Sequence, residues 1–207
     1  MNSEKVIQIL ISISKKINEQ KDFLTDLDNQ IADGDHGVNL ARGFTAVEEM
    51  LKTTDSKDIG LILKNTGMKL VSTVGGAAGP LYGTAFLRTA NVMNGKEEIN
   101  MNDFIACLDA AIEGVQFRGK AVKGEKTMLD AMIPACEEIK KTYQETNDAK
   151  KALELGVKAA YDGIEFTKTI AATKGRASYI GERSIGHQDP GATSFTFMLE
   201  TIYKEMN

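Results

Sequence analysis

Cysteine is scarce: Cys107 and Cys136 are the only two among 207 residues, and neither belongs to a CxxC pair. That sets paired-cysteine chemistry aside and fits buried reduced thiols in a cytosolic protein, although the spacing alone leaves a disulfide between them open. No long apolar run occurs. The chain turns amphipathic directly after Met1-Asn2-Ser3-Glu4-Lys5, and Ser12, Ser14, Lys15 and Lys16 break the apolar pattern too early for a signal segment or a membrane span. The expected location is the cytoplasm, with no membrane partner. A surplus of positive charge is also missing, since 25 Lys and Arg face 29 Asp and Glu, giving a net charge of −4 and a pI near 5.4. Phosphate-backbone binding needs a basic face, so a nucleic-acid partner is set aside. A compact phosphate ligand needs only a local site, and that class stays open. Strand-like alternation is almost absent and no linker-like stretch interrupts the chain, so residues 1–207 are expected to form a single domain.

What is present is helical periodicity. Ser3 followed by Val6, Ile9, Leu10, Ile13 and Ile17 reads as an N-capped amphipathic helix ending near Gln20. Phe23, Leu24 and Leu27 carry a shorter helical pattern into Asp28. Further helices are expected over 38–51, 58–73, 101–115, 127–143 and 148–166, and a final one runs from Pro190, capped by Asp189, to about Lys204. Between 74 and 84 three glycines precede Pro80, which is expected at the first position of another helix. The stretch 173–194 is too glycine-rich for a helix, and a loop of that length in a compact domain is usually functional or disordered. The fold class is therefore all-α, with seven to nine helices packed antiparallel through short loops.

Three segments carry chemistry. Asp28, Asp33 and Asp35 fall close together with His36 and Asn39. Two carboxylates about 4 Å apart repel by roughly 4 kcal/mol at an effective dielectric near 20, so a cluster held on a fixed turn calls for a cation. Oxygen ligands without cysteine suit a hard ion, Mg²⁺ or else Mn²⁺ or Ca²⁺. The bland alternative is an Asx-rich turn after a helix end. An EF-hand fails by counting, because Val38 would stand at the required glycine and Phe44 at the required glutamate. The second segment, Gly75 to Gly83, is either a phosphate cradle at a helix N-terminus or a plain interhelical loop. It has neither the GK[ST] of a Walker loop nor the preceding strand of a dinucleotide fingerprint. In the third, Arg176 and Arg183 either fork onto phosphate oxygens or are surface charges. His36 and His187, taken singly, read more readily as structural histidines, and Met128 as either core or padding for a purine.

Taken together, Asp28 to Asn39, Gly75-Gly76-Ala77-Ala78-Gly79-Pro80-Leu81-Tyr82-Gly83, and Gly175-Arg176-Ala177-Ser178-Tyr179 with Gly186-His187-Gln188-Asp189-Pro190-Gly191-Ala192 resemble the nucleotide-binding L subunit of bacterial dihydroxyacetone kinase. The resemblance spans essentially the whole chain. It implies a closed barrel of about eight antiparallel amphipathic helices with the nucleotide at one end. It further implies that Asp28, Asp33 and Asp35 hold two Mg²⁺ ions, and that His36, Gly37, Val38, Asn39, Ala77 and Ala78 contact phosphates or ribose. Gly119, Met128, Arg176, Asp189, Pro190 and Gly191 would complete the pocket, with Arg176 a candidate stabiliser of the transferring phosphoryl group. No general base stands out. Some members of the family fuse this module to a substrate domain and use ATP; others keep ADP bound and recharge it from a phosphohistidine subunit. A chain ending at Asn207 without a substrate domain points to the second kind. The implied partners are a dihydroxyacetone-binding K subunit and a phosphohistidine-carrying M subunit. Rival readings are a nucleotide-bound subunit that regulates a transcription factor, an ATP-dependent kinase module, and a free-standing Mg²⁺-dependent phosphohydrolase.

Overall fold

In the computed structural model, which describes residues 1–206, helices follow one another almost without interruption: α1 (Ser3–Glu19), α2 (Lys21–Ile31), α3 (His36–Leu51), α4 (Ile59–Thr73), α5 (Ala78–Val92), α6 (Met101–Gly119), α7 (Leu129–Thr146), α8 (Ala149–Thr169) and α9 (Pro190–Glu205). Among the described residues no strand forms, and a single isolated bridge joins Asn2 to Glu98. No helix among them is long and apolar enough to cross a membrane.

Local signals set the boundaries. Asn2, Asp58, Asp148 and Asp189 each accept an amide hydrogen from the first turn of the helix they precede, and Asn100 with Asp103 closes a reciprocal capping box on α6. At the other ends, Lys120 and Asn147 leave α6 and α7 in the left-handed conformation, both at φ 52°. Two expectations are corrected: Asn2, not Ser3, caps α1, and Pro80 does not open its helix. Helix α5 starts at Ala78, so Pro80 is its third residue rather than its first; a proline is tolerated there because first-turn amides have no intrahelical acceptor. The glycine-rich stretch after α8 contains two short 3₁₀ turns, Arg176–Tyr179 and Gly181–Ser184.

Packing order shows the architecture. Helix α1 packs on α3, α3 on α4, and so on through α9, which returns to α1 and closes a ring of eight. The ninth helix, α2, lies against α3 and α9. Chain neighbours in the ring joined by short loops must run antiparallel. Apolar side chains from every helix of the ring, among them Ile13, Phe44, Leu70, Ala85, Leu108, Met132, Leu153 and Leu199, form one continuous interior. The consequence for function is geometric: α3, α5, α7 and α9 all begin at the same end of the barrel.

Candidate nucleotide and metal site

At that end lies a cavity of about 420 Å³. Its walls are the C-terminus of α2 (Asp28, Ile31, Ala32, Asp33), the starts of α3 (Asp35, His36), α5 (Ala77, Ala78, Pro80, Leu81), α7 (Thr127, Met128) and α9 (Asp189, Pro190, Gly191), and the end of α6 (Val115, Arg118, Gly119). Lys126, Lys174 and Arg176 also line it. Four helix N-termini therefore meet around one space. Amides at the start of α5 have no side-chain partner, whereas Asp28 takes that of His36 on α3 and Thr127 that of Leu129 on α7; each helix end carries partial positive charge, so the arrangement favours an anion.

The carboxylate cluster forms because α2 continues through Asp28 and the chain then reverses. Gly34 takes φ 72°, and Gly37 brings α3 so close to α2 that a β-carbon there would lie 2.1 Å from the Lys21 carbonyl oxygen. Asp28, buried, accepts the Asp35 and His36 amide hydrogens on Oδ2 at 2.9 and 3.2 Å. One oxygen each from Asp28, Asp33 and Asp35 then lies within 4.8 Å of the others, a spacing that a divalent ion can bridge. The donor set is oxygen alone, as a hard cation requires. Arg176 reaches the same cluster, with Nη1 3.0 Å from Asp33 Oδ2.

Beside the cluster, His36 Nε2 lies 2.9 Å from Ser194 Oγ, which in turn lies 2.7 Å from the buried Tyr82 hydroxyl. Desolvation lowers the His36 pKa below 6.5 against the opposing pull of Asp28 and Asp35, and burial raises that of Tyr82. Asp189 caps α9 through the Ala192 amide at 2.7 Å, and burial pushes its carboxyl up to about 7 despite that bond and the nearby Lys126.

The residues named from sequence are thus largely brought together. Asp28, Asp33, Asp35, His36, Ala77, Ala78, Gly119, Met128, Arg176, Asp189, Pro190 and Gly191 line the cavity. Gly37, Val38 and Asn39 do not. Gly37 is packed against α2, Val38 faces solvent, and Asn39 accepts from Arg42 at 2.8 Å behind the Gly75 turn. His187 bonds Gln30 Oε1 at 2.8 Å, which favours its structural reading, and Arg183 is exposed away from the cavity. Both cysteines are free and buried, which removes the disulfide. Sequence reasoning passed over Lys126, Arg118 and Ser194; nothing in their local pattern separates them from surface residues.

An antiparallel helical barrel whose convergent N-termini share one cavity with a carboxylate cluster has the features that favour a phosphorylated ligand and a metal together. The chain belongs to the DAK2 domain family, whose sequence model matches residues 30–204. It is 42% identical over 202 residues to the PEP-dependent dihydroxyacetone kinase ADP-binding subunit DhaL of Escherichia coli, covering 98% of this chain and 96% of that one. It is 41% identical over 199 residues to the PTS-dependent dihydroxyacetone kinase ADP-binding subunit DhaL of Lactococcus lactis, covering 96% and 95%. The dihydroxyacetone kinase from C. freundii, solved in complex with AMP-PNP and Mg²⁺, shares the fold with a TM-score of 0.77 at 21% identity. That match takes in 99% of this chain and 34% of the larger kinase.

Proposed function

We propose that this chain is the ADP-binding, phosphoryl-transferring subunit of a phosphoenolpyruvate-dependent dihydroxyacetone kinase. The observation that carries the reading is the meeting, around one cavity, of a three-carboxylate cluster and four helix N-termini, in a chain about 40% identical over nearly its full length to ADP-binding subunits. The uncapped amides at the start of α5, at Ala77 and Ala78, would receive phosphate oxygens, and the apolar wall of Leu81, Val115 and Met128 would take the base. Asp28, Asp33 and Asp35 would hold two Mg²⁺ ions. When bound, these ions neutralise charge on the phosphates and on the group in transfer.

The remaining work falls to the protein's own groups. Asp28 is fixed by two amide hydrogen bonds, so the cluster is preorganised. Arg176, already at the cluster, supplies a guanidinium that can bond phosphate oxygens in pairs. Ser194 and Tyr82 hold the His36 ring at the cavity wall. The chain would retain ADP for phosphorylation by a phosphohistidine-carrying M subunit, with dihydroxyacetone held by a K subunit as the final phosphoryl acceptor. Incubating the purified ADP–Mg²⁺ protein with a phosphohistidine donor tests this. Bound ADP should become ATP stoichiometrically and Asp33→Asn should abolish the transfer; absence of transfer to the parent protein would overturn the reading.

A further inference from the structure

Lys126 is the only Lys or Arg buried among the described residues, at 1% exposure, and it forms no ion pair there. Its backbone is left-handed at φ 59°, a conformation that a non-glycine residue keeps only where its surroundings over-determine it. The surroundings do so from two sides. The loop 120–128 is pinned to α7 by buried Asp130, whose carboxylate accepts the Gly124 and Thr127 amide hydrogens at 2.5 and 2.8 Å.

From that fixed loop the Lys126 ammonium donates to three carbonyls, those of Thr167, Ile170 and His187, at 2.5, 3.3 and 2.5 Å. Thr167 and Ile170 stand at the end of α8, where carbonyls have lost their intrahelical donors. His187 stands at the far end of the segment that leaves α8 and returns as α9. One side chain thus gathers both roots of that segment, and Thr173 N–H adds a bond to the Glu125 carbonyl of the same loop at 3.3 Å. Between the roots lie Arg176, paired with Asp33, and Ala177, packed with Ile31 and Ala172. An ammonium has three hydrogens, and all three are engaged by carbonyls, so none is left for a phosphate.

We infer that Lys126 is a positioning residue of the nucleotide site: it clamps the two roots of segment 170–189, so that Arg176 and the start of α9 stay in place over the cavity. The inference rests on the proposal that the cavity holds ADP with Mg²⁺.

The test compares the parent protein with Lys126→Met, which keeps the aliphatic stem, and Lys126→Gln, which restores two donors without charge. Release of a fluorescent N-methylanthraniloyl-ADP in Mg²⁺ is followed by stopped flow, and amide exchange is mapped on the nucleotide-free proteins. Lys126→Met should release the probe at least tenfold faster, with Lys126→Gln in between, and exchange should accelerate in 170–189 while α1, α3 and α4 keep their protection. Unchanged release, or protection lost evenly around the barrel, would overturn the clamp; if Lys126→Met does not fold, the Gln variant carries the comparison. Should the parent protein bind no probe, the functional proposal fails, and the exchange map still decides whether Lys126 holds the segment.

Discussion

Replacing Asp189 by Asn should stabilise the nucleotide-free protein, and by more at pH 8 than at pH 5. Asp189 is 8% exposed, lies in the field of Asp130 and Asp28, and has its carboxyl pushed from 3.8 to about 7, burial being the largest cause. The folded protein therefore holds this proton more tightly than the unfolded chain does, and the parent loses stability as pH rises from about 4 to 7. At 1.36 kcal/mol per pKa unit the cost reaches about 4 kcal/mol at pH 8 but only about 1.6 kcal/mol at pH 5, where the folded carboxyl is still protonated. Asn preserves the N-cap bond to Ala192 and carries no charge, so it escapes that cost. Some of the gain is offset because Lys126 loses a favourable neighbour. The difference between the two pH values, about 2 to 3 kcal/mol, corresponds to about 5–10 °C in Tm for a chain of this size. Calorimetry of both proteins at pH 5 and pH 8, with nucleotide removed, measures it. A variant destabilised equally at both pH values, or stabilised more at pH 5, would refute the reasoning.

Further outcomes follow from the same contacts. Ser194→Ala leaves the buried Tyr82 hydroxyl and the His36 ring without their shared partner and should cost about 1–3 kcal/mol in urea denaturation, with the helical circular dichroism of the folded state unchanged. Cys107 and Cys136 are buried with thiols pushed up to about 12, so their reaction with a disulfide reagent at pH 8 should be roughly 100-fold slower in the native protein than in denaturant.

The helices were legible because their signals are local. Asp58, Asp148 and Asp189 cap the helices that follow them, and three-to-four-residue apolar spacing marks the buried faces of α1 and α4. The Asp cluster was legible because its members are neighbours in the chain. What escaped depends on distant contacts. Closure of the ring through α9 on α1 joins the two ends of the sequence; no periodicity encodes it, and the resemblance to the kinase subunit alone implied it. Lys126 sits in a polar stretch, Gly124-Glu125-Lys126-Thr127, that reads as a surface loop; its burial follows from carbonyls more than forty residues further on. Gly37 and Asn39 illustrate the converse. They belong to the Asp motif by position, yet one serves helix packing and the other supports Arg42 behind the Gly75 turn.

The central claim is that the carboxylate cluster and the helix N-termini form two halves of one site, the ligand's phosphates supplying the oxygen ligands that three carboxylates leave unfilled. Titration calorimetry of Mg²⁺ into the protein, with and without saturating ADP, tests it most directly. Mg²⁺ should bind weakly to the protein alone and on the order of 100-fold or more tightly in the presence of ADP, a coupling of about 2.7 kcal/mol. Equal Mg²⁺ affinity in the two titrations, beyond what free ADP takes up, would contradict it.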